Sequence, residues 1–179
     1  EASERFVREA RALAKLQSEH IARVLDVDSL PGGVPYLVME HLEGEDLEQR
    51  LSERGRLDPR DATSWLVQAC DAIAEAHAQG IVHRDLKPAN LFLAREPGGA
   101  EVVKVLDFGI SKRTAAPAQK LSITNPSALL GSPLYMSPEQ VRGAREVDVR
   151  TDVWSLGVIL YEALAGQPLF APEHQAPGR

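Results

Sequence analysis

The chain has 179 residues, 44% of them hydrophobic, and a formal net charge of −6 at pH 7, which is typical of one globular domain with a sizeable core. The acidic balance argues against nucleic acids and anionic membranes as dedicated partners, because proteins that bind them normally carry a basic face. A single cysteine, Cys70, excludes an intrachain disulfide framework and an all-cysteine metal site, which suits a reducing cytoplasm. We expect Cys70 to be a core residue.

Neither end of the chain has the pattern of a complete domain. The first residue is Glu1 rather than Met, and the Pro/Gly-rich stretch 171–179 leads into no further element. We therefore expect both ends to be cuts. No apolar run reaches the roughly eighteen residues of a membrane span. We expect no membrane contact within this segment, and a tether outside it is left open.

The first predicted elements are a helix and two strands. Apolar residues at helical spacing predict an amphipathic helix over 4–16. Apolar and β-branched residues around 21–27 and 34–39, separated by a Pro-Gly-Gly turn, predict two antiparallel strands. The polar residues 40–46 are interpreted as a crossing to the rest of the chain.

A long helix is predicted next. Asp58 is a capping carboxylate that precedes Pro59 at the first helical position, and Gly80 is suited to a left-handed cap at the far end. Two short apolar runs at 91–93 and 102–106, again with a Pro-Gly-Gly turn between them, predict a hairpin.

The remaining segments are a loop and a buried helix. Residues 109–132 are rich in Ser, Thr, Ala and Pro without steady periodicity, and the segment is too long for a simple connector. We interpret it as a mobile functional loop. Residues 152–165 are apolar nearly all round, which predicts a buried helix that ends at Gly166.

Three motifs are placed around the predicted hairpin. The run H-R-D-L-K-P-A-N occupies 83–90, D-F-G occupies 107–109, and S-P-E occupies 137–139. The first two bring two carboxylates and an amide to the ends of the hairpin. Together the three motifs resemble the catalytic, metal-binding and activation-segment sequences of protein kinases. The resemblance spans the whole chain.

The resemblance implies an α+β fold of the two-lobe protein-kinase type in truncated form. Residues 1–41 would be a remnant of the N-lobe with helix C and two strands, 42–46 the hinge, and 47–179 most of a mainly helical C-lobe. The catalytic loop would be 83–90 and the activation segment 107–139. The implied activity is transfer of the ATP γ-phosphoryl group to protein hydroxyls, with Mg²⁺, or Mn²⁺ as an alternative.

Phosphoryl transfer explains the residue types of these motifs, because it needs positioning and neutralisation of phosphate charge. By resemblance, Asp85 would orient the attacking hydroxyl and accept its proton, and Lys87 would neutralise the transferring phosphate. Asn90 and Asp107 would offer the oxygens that Mg²⁺ prefers. A Lys in D-L-K-P-x-N is typical of the Ser/Thr class. An isolated Asp or Asn in a loop is more often a turn residue, so the assignment depends on the joint spacing.

The run L-V-M-E-H-L, which ends at Leu42, resembles a kinase hinge. Met39 would be the gatekeeper, and backbone groups of Glu40 and Leu42 would bind adenine. Phe92 would form the floor of the adenine pocket, and Asp46 would reach the ribose hydroxyls. Without the downstream motifs, a plain buried edge strand would be the alternative interpretation of this run.

Several further residues are assigned by the same resemblance. Glu9 would pair with an ATP-binding Lys, although alone it is typical of a solvated helix charge. Leu13, His83 and Phe108 would form a packed column without chemistry of their own. Asp152 would hold the backbone of the H-R pair, or otherwise act as an ordinary capping acid.

Arg84 resembles the arginine with which many kinases sense a phosphorylated activation loop, since a phosphate there would form a charge-assisted pair. Candidate acceptors are Ser122, Thr124 and Ser127, and the position of Thr124 relative to the end of the loop favours it. Ser132 stands where the family most often has Thr and retains the hydroxyl. The alternative is a merely hydrophilic loop.

The leading hypothesis is a bacterial-type Ser/Thr protein kinase that acts on protein substrates in the cytoplasm, with self-association for trans-autophosphorylation left open. No G-x-G-x-x-G loop and no strand Lys precede Glu1 in the chain, so we expect the isolated chain to be inactive or feeble. The rival is a pseudokinase or signalling scaffold, which the intact Asp85, Asn90 and Asp107 disfavour. A small-molecule phosphotransferase is disfavoured by Lys87 and the S-P-E motif.

Overall fold

The computed structural model of the chain describes residues 2–108, 132–143 and 147–170. Helix α1 (Ala2–Leu13) precedes an antiparallel pair of strands, β1 (Val24–Ser29) and β2 (Pro35–Met39). The predicted helix and strands are thus confirmed. The helix ends earlier than expected because the amides of Lys15 and Leu16 bond to carbonyls three residues back, which tightens the last turn.

A three-stranded antiparallel sheet follows, formed by β3 (Gly44–Asp46), β4 (Leu91–Arg95) and β5 (Glu101–Val105) in that order. The predicted hairpin is confirmed as β4 and β5. Helix α2 (Leu47–Arg54) begins directly after β3, and neither element was predicted from the sequence. Gly44 has a φ of +145°, and a Cβ there would lie 2.1 Å from the carbonyl oxygen of Leu93, so only glycine fits.

Helix α3 (Pro59–Ala78) begins where the sequence predicts, because the Asp58 side chain accepts a hydrogen bond of 2.8 Å from the amide of Arg60. Two 3₁₀ turns follow at Pro88–Asn90 and Ser132–Tyr135, and a short helix, α4, spans Pro138–Val141. The predicted helix is confirmed as α5 (Arg150–Ala165), and Gly166 caps it with a φ of +73°. It is buried on one side only, since Val153, Trp154 and Leu164 are exposed, so the expectation of a fully buried helix was wrong.

The core lies where α3 packs against α5 and β5. The buried stripe of α3 consists of Ala62, Trp65, Leu66, Ala69, Ala72, Ile73 and Ala76. Cys70 is exposed, so the expectation that it is a core residue was wrong. It lies one position outside this stripe, on the solvent side of the helix.

The segment before β1 joins the two sheets. The amide of Val105 donates to His20 O at 2.8 Å, and the amide of Ala22 donates to Val105 O at 3.1 Å, with Ile21 and Val105 forming a parallel bridge. The first part of the chain is therefore bonded to the strand that leads into the D-F-G motif. Among the helices that the structure describes, none is long and apolar enough to span a bilayer.

Candidate active site

The predicted catalytic loop, 83–90, is held by a buried carboxylate from the first turn of α5. The two oxygens of Asp152 accept hydrogen bonds of 2.8 Å from the amides of His83 and Arg84. The His77 ring donates a third, of 2.7 Å from Nε2. A fully buried carboxylate needs such partners, because its desolvation is otherwise prohibitive. The prediction that Asp152 holds the H-R backbone is confirmed.

His83 connects the catalytic loop to the D-F-G motif. Its Nε2 donates to the Leu106 carbonyl at 2.9 Å, and its Nδ1 accepts from the Asp85 amide at 3.3 Å. Burial lowers the pKa of His83, so the ring is neutral near pH 7 with its proton on Nε2. Its ring centroid lies 4.7 Å from that of Phe108, and both residues are buried. Phe108 and Leu13 belong to the same hydrophobic core. The predicted packing of His83 against Phe108 is confirmed, and the place of Leu13 in the column stays a prediction.

The polar side chains of the loop are arranged around Asp85. Lys87 Nζ lies 4.0 Å from Asp85 Oδ2, and the two side chains retain 28% and 13% of their exposure. The Asn90 side chain is buried, and its Nδ2 donates to the Asp85 carbonyl at 2.8 Å. The Leu106 amide donates to the Asn90 carbonyl at 2.9 Å, which places Asp107 next to the loop.

Two residues at the site have a left-handed backbone. Arg84 has a φ of +66° and Asp107 a φ of +50°, and in the described part of the chain they are the only non-glycine residues with positive φ. This conformation costs about 1 kcal/mol or more for such residues and tends to occur at functional sites. The fold therefore uses strain at the residue before Asp85 and at the predicted metal ligand itself.

An apolar cavity of about 290 Å³ lies beside Asp107. Asp107 and Phe108 line it together with Met39, the predicted gatekeeper, and with Phe6 and Leu13 of α1. Glu9 is half-buried, and helical periodicity puts it on the same face of α1 as Phe6 and Leu13. The structure thus brings α1 and Met39 to the D-F-G motif.

On the predicted nucleotide side, the Glu40 amide donates to the Arg23 carbonyl at 3.0 Å, so this amide is already engaged within the chain. The Glu40 side chain accepts from the Arg23 amide at 2.8 Å and from Lys104 Nζ at 3.3 Å. Asp46 pairs with Phe92 across β3 and β4, and its Oδ1 caps α2 by accepting from the Gln49 amide at 2.8 Å.

The predicted regulatory residues are described only in part. The Arg84 guanidinium donates to the Val147 carbonyl at 3.3 Å. Thr124, the segment 109–131 interpreted as a functional loop, and the side chain of Ser132 lie outside the described residues. Leu42 is half-buried between β2 and β3.

Sequence reasoning missed two supports of the catalytic loop. His77 bonds Asp152 from 75 residues away, and the sequence contains no local signal of that contact beyond the place of His77 beside the buried stripe of α3. Gln140 donates from Nε2 to the Arg84 carbonyl at 2.8 Å and forms a capping box with Ser137. The S-x-x-Q spacing was a readable signal for that box.

The donor set fits a magnesium ion. Because Asn90 Nδ2 is bonded to the Asp85 carbonyl, Asn90 Oδ1 is its acceptor, and the Asp107 carboxylate is exposed. Mg²⁺ is usually held by one or two such protein oxygens together with phosphates and water. Within the described ranges there is no cluster of three or more His, Cys, Asp or Glu residues that would hold a metal alone.

The geometry of the 83–90 loop and of the D-F-G motif agrees with what comparison with known protein families finds. The family profile described as "Protein kinase domain" matches residues 1–177, so the chain belongs to the protein kinase family. Two crystal structures of the Mycobacterium tuberculosis PknI kinase domain superpose with TM-scores of 0.71 and 0.72, at 28% and 26% identity. They cover 98% and 99% of this chain, which spans 62% of each of them. The predicted truncated kinase fold is confirmed.

Within the family, the chain is similar to bacterial enzymes, as the sequence motifs predicted. It is 45% identical over 170 residues to the serine/threonine-protein kinase Pkn1 of Myxococcus xanthus. It is 41% identical over 169 residues to PknB of Mycobacterium leprae. The alignments cover 95% and 93% of this chain but only 24% and 26% of those proteins. The chain therefore spans about a quarter of the length of these curated relatives.

Proposed function

We propose that this chain carries the phosphoryl-transfer residues of an ATP-dependent serine/threonine protein kinase. The observation that supports this most is the arrangement around Asp85, with Lys87 Nζ at 4.0 Å and the Asn90 side chain bonded to its carbonyl. Asp152 fixes the loop by accepting hydrogen bonds from the amides of His83 and Arg84, which pre-organises the loop before any substrate binds.

Each polar side chain then has one task. Asp85 orients the protein hydroxyl and accepts its proton, and Lys87 neutralises charge on the phosphoryl group in transfer. Asn90 Oδ1 and the Asp107 carboxylate hold the metal, Mg²⁺ or alternatively Mn²⁺. When bound, this ion supplies positive charge to the phosphate oxygens.

ATP would lie between β2 and the β3–β4 pair. Met39 borders the inner end of the adenine site, and backbone groups of Glu40 and Leu42 bind the base. Phe92 supports adenine from below, and the oxygen of Asp46 that does not cap α2 meets the ribose hydroxyls. These roles follow from the hinge resemblance and are supported by the adjacency of Asp46 and Phe92.

Further assignments complete the proposal. Residues 1–41 act as part of an N-lobe in which Glu9 pairs with an ATP-binding Lys, 42–46 as the hinge and 47–179 as part of the C-lobe. Arg84 senses a phosphate on Thr124 of the activation segment, close to Ser132. The substrates are proteins and not nucleic acids, the site of action is the cytoplasm, and self-association would permit phosphorylation in trans.

The test is phosphate incorporation by the complete gene product with Mg-ATP, located by mass spectrometry. We expect Asp85→Asn to lower incorporation by about 100-fold or more while ATP still binds. Asp71→Asn, the same change at an exposed position of α3, serves as the matched control and keeps activity. If the wild type binds ATP and phosphorylates neither itself nor a generic protein substrate, the chain is a scaffold rather than a kinase.

A further inference from the structure

A buried arginine links three elements next to the proposed ribose site. Arg50 of α2 is only 5% exposed. Its Nε donates to Glu45 Oε1, and its two terminal nitrogens donate to the two oxygens of Glu101 at 2.7 and 3.3 Å. Its guanidinium carbon lies 5.4 Å from the ring centroid of Trp65. We call Arg50, Glu45 and Glu101 the Arg50 fork.

The fork is a charged structure at neutral pH. The hydrogen bond that Glu101 accepts from Arg50 is the main reason why the pKa of Glu101 is held below its usual range. A buried guanidinium is tolerated when two carboxylates and an aromatic face replace its water, and losing one partner of such a group is strongly destabilising. Removing Arg50 would also leave two carboxylates close together with no cation between them.

The position of the fork ties it to the nucleotide residues. Glu45 belongs to β3 and directly precedes Asp46, while Glu101 opens β5. Strand β4, which contains Phe92, lies between these two strands. Asp46 therefore lies between Glu45, which precedes it, and helix α2, which follows it, and the Arg50 fork fixes both of these neighbours.

We propose that Arg50 is a positioning residue for ATP, which fixes β3 and α2 against β5 so that Asp46 and Phe92 keep the geometry that binds ribose and adenine. This inference rests on the proposed function. Helix α2 also contacts the turn Pro88–Asn90, so a general loosening of the fold would lower kcat as well. A specific role in nucleotide positioning changes ATP affinity and KM while kcat stays nearly constant.

The experiment compares three variants of the complete gene product by calorimetric ATP binding and by steady-state kinetics. Arg50→Met should weaken ATP binding and raise the KM for ATP by about tenfold, with kcat within about twofold of wild type. Arg50→Lys should fall between, because an ammonium can pair with one carboxylate but cannot form the fork. Arg54→Met is the matched control, since Arg54 is exposed one turn later on α2 yet its charge also lowers the pKa of Glu101.

We expect the Arg54 control to bind ATP like the wild type. The inference is overturned if folded Arg50→Met binds ATP with unchanged affinity, if its kcat falls by much more than twofold whether or not KM rises, or if the wild type binds no ATP. Should Arg50→Met fail to fold, Glu101→Gln replaces it, with an expected loss of ATP affinity of about threefold and the same criterion for rejection. A wild type that binds ATP but transfers no phosphate refutes the proposed function alone, because the binding comparison remains decisive.

Discussion

The two sides of the candidate site are held by different kinds of contact. The catalytic loop is fixed by Asp152, a fully buried carboxylate from a helix far away in the sequence. The segment 40–46 is fixed by half-buried ion pairs such as Glu40 with Lys104, and by the close backbone fit at Gly44. Substitutions should therefore affect the first side through a single desolvated carboxylate, and the second through steric fit at Gly44 or through ion pairs, which include the Arg50 fork.

The largest expected effect tests the buried carboxylate. Asp152→Ala removes the acceptor of three hydrogen bonds and leaves two amides and the His77 ring without their buried partner. We expect the free energy of unfolding to fall by about 3–5 kcal/mol. Urea denaturation of the complete gene product, followed by tryptophan fluorescence, measures it. Asp148→Ala, at an exposed carboxylate just before α5 whose hydrogen bonds with Arg150 lie in solvent, is the control and should lower the free energy of unfolding only slightly. Equal midpoints for both variants would contradict the proposed importance of burial.

The next effect tests steric fit on the other side. Gly44→Ala places a methyl group against the Leu93 carbonyl in a backbone conformation that only glycine adopts easily. We expect a loss of about 2 kcal/mol in the free energy of unfolding, by the same denaturation assay. Gly157→Ala is the control and should raise the free energy of unfolding. Gly157 is a helical residue of α5 whose added Cβ would lie in open space, and alanine is more favourable than glycine in a helix by about 1 kcal/mol. If Gly44→Ala left the free energy of unfolding unchanged, β3 would have to move away from β4 to make room for the methyl group.

The smallest effect concerns pH and returns to the catalytic loop. Because burial lowers the pKa of His83 in the folded state, the unfolded chain binds a proton first as the pH falls. The contribution of His83 to the free energy of unfolding is fully present above about pH 6.5. It declines at lower pH, by about 1 kcal/mol between pH 6.5 and 5.5. Thermal melts over this range measure the slope, which should disappear in His83→Asn and persist in His41→Gln, at an exposed histidine. An unchanged slope in His83→Asn would assign the acid sensitivity to another group.

The elements that could be predicted from the sequence are those with a local signal. Asp58 and Pro59 predicted the start of helix α3, and the Pro-Gly-Gly turn predicted the hairpin of β4 and β5. Helix α2 has a similar capping signal in Asp46 and Gly55, but it is only eight residues long and half of them are charged, so its apolar pattern is weak. Its buried Arg50 also breaks the apolar pattern that sequence reasoning relies on. Strand β3 was missed with it, since three residues are too few for an alternating pattern.

The same distinction holds for the candidate site. The polar residues of 83–90 were recognisable because they are contiguous, and the contact of Asp152 with that loop followed from the resemblance and is confirmed. The supports from His77 and Gln140 are set by tertiary packing across 75 and 56 residues, which spacing along a chain does not report. Sequence reasoning thus found the proposed reacting groups more readily than the groups that hold them.

The backbone bonds at Val105 have a mechanical consequence. Helix α1 and strands β1 and β2 are connected through His20 and Ala22 to Val105, which lies two residues before Asp107 in the chain. A rigid displacement of this first part must either move Asp107 with it or break two backbone hydrogen bonds, at a cost of about 1 kcal/mol each. Force applied to the first helix is therefore transmitted over a very short path to Asp107, the carboxylate that we propose binds the metal, and the two cannot move apart freely.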